Sequence, residues 1–222
     1  MELHPEILTP GWQMAGFLVF LCGVAVALWH MPWYWLRRRD VGNRLAISAM
    51  LLIMLWQLRA ELAGGPAVHL LGATWLTLAF GWQTAMLLLT IVLATTTAIQ
   101  GNGWAAFGAN GAILVVLATS VSYWLARISE RWLPPNLFVY LFAAAFFGAA
   151  ITMAVVAASV AAMELAAGMM DESSVLNNYL PTSLLLLFPE AFLTGTLTTL
   201  SVVYLPGWMV SFDDGRYLGR KR

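Results

Sequence analysis

The sequence predicts an all-α integral membrane protein, with about seven transmembrane helices in one bundle, on three observations. Of its 222 residues, 61% are hydrophobic and only 10% charged, against roughly 25% charged in a soluble domain, so the chain cannot coat a globule with solvated side chains. Its mean hydropathy is +0.78, and the apolar residues run in continuous blocks of Leu, Ala, Val and Met. A membrane barrel would show alternating segments of about ten residues instead. Finally, the basic residues gather in a few of the connections between blocks.

Hydrocarbon offers no hydrogen-bond partners, so each block closes its backbone bonds as a helix, and about 20 residues cross a layer roughly 30 Å thick. The first block, Gly11–Met31, follows a flank carrying Glu2 and Glu6 but no Lys or Arg. A secretion signal wants a positive start, so this block is expected to be a retained span. Leu45–Leu58 is the second and needs flanking residues to reach full length. Val68–Gly81 and Thr84–Ile99 are divided only by Trp82 and Gln83, as a tight hairpin or a broken helix. Ala109–Ala126, Leu137–Ala162 and Pro181–Leu205 complete the set. Cys22, the single cysteine, lies inside the first block and is expected to be a small buried hydrophobe.

Orientation follows from the basic residues. With the N-terminus outside and strict alternation, ten of the eleven positive charges (Arg37, Arg38, Arg39, Arg44, Arg127, Arg131, Arg216, Arg220, Lys221 and Arg222) fall on the cytoplasmic side, leaving Arg59 alone outside. Merging the third and fourth blocks would break that alternation. Residues 1–10 are then an extracytoplasmic segment, 11–205 the transmembrane domain and 206–222 a basic cytoplasmic tail. The partner expected throughout is membrane lipid, in a multi-pass protein of a bacterial plasma membrane; no nucleic acid is expected. The longest connection, about Met163–Leu180, cannot house a nucleotide-binding fold, and the sequence has no phosphate-binding G-x-x-x-x-G-K-[ST] loop. ATP-driven work would need another subunit.

Few residues offer chemistry. Glu190, in Phe188-Pro189-Glu190-Ala191, lies about ten residues into the last block. A carboxylate at that depth is functional, or a structural group bonded to a Thr or Trp of a neighbouring helix. His4 and His69 both fall on the outer side, where two imidazoles would suit a borderline metal ion. They also read as unrelated polar residues near the headgroups. His30, in Trp29-His30-Met31-Pro32, reads as interfacial. His69 follows a turn-forming Ala63-Gly64-Gly65-Pro66. The Gly-rich stretches at 101–103 and 108–111 read as turns and close helix packing, with Asn110 able to bond inside the bundle. No organic cofactor is expected. No catalytic motif occurs and no histidine lies mid-span, so an intramembrane hydrolase, or any other enzyme, is not expected.

Three stretches resemble the CbiM/NikM family, the membrane substrate-binding components of energy-coupling factor transporters for cobalt and nickel. They are Val68-His69-Leu70-Leu71-Gly72 with Leu78-Ala79-Phe80-Gly81-Trp82, Gln100-Gly101-Asn102-Gly103 running to Phe107-Gly108-Ala109-Asn110, and Pro189-Glu190-Ala191-Phe192-Leu193-Thr194-Gly195. The resemblance implies an uptake component for a divalent transition metal ion, the ion being its substrate, energised by a coupling transmembrane subunit and ATPase subunits. It implies His69 as principal ligand, with His4, Glu2 and the Met1 amine as partners and Asn110 and Glu190 as supporting polar groups. The family begins Met-His; this chain begins Met1-Glu2, its nearest imidazole being His4. Oxygen in place of nitrogen weakens preference for square-planar nickel. A helper for assembling a metalloenzyme or respiratory complex, keeping the fold without transport, is the alternative that this departure leaves open.

Overall fold

The computed structural model describes residues 2–3, 8–62, 66–101, 103–168 and 170–217. Met1, His4, residues 63–65 of the expected turn, Asn102 and the basic end of the tail from residue 218 lie outside them.

Among the described residues, seven helices of eight residues or more order the chain: α1 (Pro10–Trp29), α2 (Arg39–Gln57), α3 (Ala73–Phe80), α4 (Trp82–Gln100), α5 (Trp104–Trp132), α6 (Leu137–Ala166) and α7 (Glu172–Tyr204). Among the described residues there are two isolated antiparallel bridges and no longer strand. Five helices among the described residues, α1 and α4 to α7, are long and apolar enough to cross a membrane. The 19-residue α2 carries Arg39, Asp40 and Arg44 near its start. α3 has only eight residues, every one buried. Where Val68–Gly81 reads as a membrane span, the chain is extended up to Gly72 and helical only from Ala73. Proline at the first position starts α1. Asn136 caps α6 by accepting the Val139 amide at 2.8 Å. Asp171 caps α7, and the hydroxyls of Ser173 and Ser174 hold its exposed carboxyl down at about 2. α3 and α4 are two helices packed against each other and broken at Gly81, whose φ of +81° favours glycine.

α1, largely exposed along its length, packs closely on α5. A Cβ on Gly108 would stand 2.6 Å from the Phe17 Cα, and one on Gly16 would stand 2.6 Å from the Ala109 Cα. The two backbones touch, which is how small residues join helices in lipid. Neither neighbour can retreat, because both are backbone. Gly108→Leu is therefore expected to cost about 3 kcal/mol or more, read as a lower unfolding temperature in detergent; an unchanged melt would contradict this contact. Cys22, expected inside, lies on the exposed face of α1. A small apolar thiol is as compatible with lipid as with a protein interior.

The interior is built around α3, enclosed by α4, α5, α6 and α7. Thr74 of α3, Ser122 of α5 and Thr152 of α6 form a hydroxyl chain with links of 2.8 and 3.1 Å. Trp75 Nε1–H reaches Ser201 of α7 at 3.3 Å. Residues 206–217 fold back beneath this helix: the amides of Val210 and Ser211 donate to the carbonyls of Ala79 and Leu78 at 2.9 and 3.2 Å. At the same end Arg44 bonds the Gly207 carbonyl, Arg127 pairs with Glu130, and Arg216 donates to the Glu130 carbonyl at 2.7 Å. The basic residues of three separate connections thus share one end of the bundle.

Candidate metal centre

At the opposite end, the connection from α2 to α3 runs as extended chain into the bundle. Non-helical backbone at such depth persists only where protein satisfies it, and each stretch here finds its partner. Ala60 and Val68 exchange both N–H···O bonds at 2.9 Å, and the Glu2 amide donates to the Ala67 carbonyl at 2.9 Å. Trp56 Nε1–H donates to the Leu71 carbonyl at 3.1 Å. The amides of Leu71 and Gly72 donate to Glu190 Oε2 and Oε1 at 2.8 and 2.9 Å. At Gly72, φ is +67°, and a Cβ would press on the tip of the Leu52 side chain. The left-handed conformation favours glycine there, and the chain turns into α3 at that point.

This scaffold presents His69. The ring is 1% exposed and lies against Trp56, with centroids 4.6 Å apart and planes tilted by 46°. Its Nδ1 sits 2.9 Å from the Leu70 carbonyl oxygen. A carbonyl only accepts, so Nδ1 carries the proton and the lone pair is left on Nε2. Nε2 is buried and has no hydrogen-bond partner among the described residues. One nitrogen fixed by a carbonyl and the other free is the arrangement of a metal-ligating histidine.

Glu2 lies on the same ribbon. It forms an antiparallel bridge with Ala67, two residues before His69, and residues directly opposite in such a pair put their side chains on one face. Glu2 Oε2 accepts from Arg59 at 3.1 Å, and Arg59 also reaches the exposed Glu61 at 3.2 Å. Glu2 Oε1 is buried without a partner among the described residues. Asn110 holds this N-terminal segment in place, its Oδ1 accepting the buried Leu3 amide at 2.8 Å. It stands where α5 widens into π-helical turns over Gly111–Leu117, a device that re-aims a helix face.

The structure therefore gathers Glu2 and His69 on one short ribbon. Asn110 and Glu190 clamp its two chain segments, and neither is offered as a direct ligand. Met1 and His4 fall outside the described residues, among which no three or more His, Cys, Asp or Glu residues group to hold an ion. His30 lies at the far end of α1, bonded to the Val26 carbonyl of its own helix. Two contributors escape a reading of the sequence. Trp56 carries no local signal, being one of eleven tryptophans. Arg59 does carry one, since it is the sole positive charge away from the basic end.

Comparison with known proteins fits this architecture. Residues 3–208 match the family profile described as CbiM, cobalt uptake substrate-specific transmembrane region. A probable fused nickel transport protein, LarMN, of Lactiplantibacillus plantarum is 32% identical over 89 residues. That match spans 40% of this chain and only 27% of the relative's length. Two crystal structures share the fold. One, of a truncated transition metal transporter, aligns with a TM-score of 0.71 at 18% identity, covering 93% of this chain and 99% of that one. The other, of a transition metal transporter, gives 0.69 at 20% identity, covering 92% of each.

Proposed function

We infer the function from one premise: the chain belongs to the CbiM family, whose profile spans nearly all of it. As a multi-pass membrane protein of that family, it captures a divalent transition metal ion, such as cobalt or nickel, on the outer side of the membrane and commits it to uptake. The ion is cargo, not a resident cofactor. The observation that carries this reading is the His69 imidazole, buried, oriented by the Leu70 carbonyl and left with an unpartnered Nε2. Glu2 supplies an oxygen beside it. The Met1 amine and His4, which the sequence places in the same N-terminal segment, are the candidate further ligands of this reading. Asn110 and Glu190 hold the two ligand-bearing segments against the bundle.

The orientation places this ribbon outside and the basic end with the C-terminal tail in the cytoplasm, in keeping with the positive-inside rule. The host membrane is a bacterial plasma membrane. Energy comes from a coupling transmembrane subunit and ATPase subunits of an energy-coupling factor complex, since no phosphate-binding G-x-x-x-x-G-K-[ST] loop occurs in this sequence. A donor set that includes a carboxylate, and in which the second residue's amide is already given to Ala67, favours nickel less than an all-nitrogen set would.

Calorimetric titration of the purified chain with nickel, cobalt, copper and zinc tests the reading. At least one of the first two is expected to bind at roughly micromolar Kd, about −8 kcal/mol. Binding no tighter than millimolar for all four would sink it.

A further inference from the structure

Glu2 is contested ground. Its Oε2 is held at 3.1 Å by Arg59, while Oε1 is buried and free of partners among the described residues. The Glu2 side chain is 11% exposed, so the pair is shielded from water on the carboxylate side. Arg59's second contact, to Glu61, is with a side chain that is 74% exposed. Such a solvated pair contributes little, and the guanidinium's principal anchor is therefore Glu2. Arg59 is also the one Lys or Arg at this end of the bundle.

Resting on the metal-capture reading, we propose that Arg59 is a built-in competitor for the incoming ion: a tethered cation that occupies Glu2 in the empty protein and that the metal must displace or share. The geometry requires the conflict. An ion bound to Glu2 Oε1 and His69 Nε2 sits on the same carboxylate that Arg59 grips, a few ångströms from a permanent positive charge, since guanidinium does not lose its proton in proteins. Repulsion between these charges acts where solvent screening is weak. Two consequences follow. The empty site carries its own counter-charge, so Glu2 is not left as an unpaired buried anion. Metal affinity is held below what the ligands alone would give, which suits a protein that must release its cargo. Arg59 thus sets affinity without being a ligand.

Titration of the purified full-length chain with cobalt and nickel chlorides separates the cases. Arg59→Gln is expected to tighten the Kd by at least tenfold. Arg59→Met, equally neutral, should match it if charge is the agent. Arg59→Lys, which keeps the charge, should gain no more than threefold. In a Glu2→Gln background the benefit of Arg59→Gln should fall to threefold or less, because the shared carboxylate is gone. A wild-type protein that binds metal, with a Kd that both neutral variants weaken or leave within threefold, overturns the proposal while the metal-capture reading stands. Absence of binding in every variant, the wild type included, overturns both.

Discussion

Replacing His69 by alanine is expected to weaken cobalt and nickel binding by roughly 100-fold or more, beyond the 10–100-fold that goes with losing a metal ligand's supporting contact. The imidazole is the one nitrogen donor among the described residues of this end that is buried, oriented and unpartnered. Its loss leaves Glu2 Oε1 alone on the ribbon. The stability cost should be modest by contrast. The ring gives up its face contact with Trp56, worth about 0.5–1.5 kcal/mol, and the Nδ1–H bond to the Leu70 carbonyl, worth about 1 kcal/mol, while its Nε2 has no bond to lose. Calorimetry and a thermal melt on the same preparation read both quantities. A His69→Ala protein that melts normally and still binds either ion with the wild-type Kd would remove this residue from the site.

Glu190→Ala should show the reverse ordering. Its two oxygens accept the Leu71 and Gly72 amides at 2.8 and 2.9 Å in a position only 1% exposed. A buried donor left without its acceptor costs about 1–3 kcal/mol, and both amides would be stranded where no water or lipid replaces the acceptor. A loss of about 2–6 kcal/mol follows, seen as a large fall in unfolding temperature, with faster proteolysis of the 58–72 connection. Metal affinity should fall as well, because the residues that end the His69 segment lose their anchor. Glutamine is no substitute: it offers one acceptor, and its NH2 group would face the second amide donor to donor. A Glu190→Gln protein indistinguishable from wild type in melt and proteolysis would show that these amides do not depend on the carboxylate.

Much of this was legible in the composition and spacing, and the residues show where legibility stopped. Glu190 announced itself as a carboxylate deep in an apolar block, but its partners lie 119 and 118 residues earlier in the chain, and nothing local marks a pair of backbone amides as waiting. Asn110 bonds a residue 107 positions away and was equally opaque. Val68–Gly81 read as a span because Val68, Leu70 and Leu71 are apolar. Hydropathy reports transfer out of water, and a protein interior satisfies it as well as lipid does, so extended chain buried among helices looks like a helix in a bilayer. The eight-residue α3 escapes for the same reason. Cys22 shows the mirror image: an apolar position gives no hint of whether protein or hydrocarbon surrounds it.

The clamp between Glu190 and the Leu71–Gly72 amides also fixes a timetable. A ribosome delivers this chain N-terminus first, so the ribbon with His69 reaches the membrane while α7 does not yet exist. Until residue 190 is inserted, two amides beside the centre lack their acceptor, and until Asn110 arrives the Leu3 amide lacks its own. The ribbon, among the first parts made, is completed last. A nascent chain stalled before α7 would have all its preceding helices while the Leu71 and Gly72 amides still lacked their acceptor.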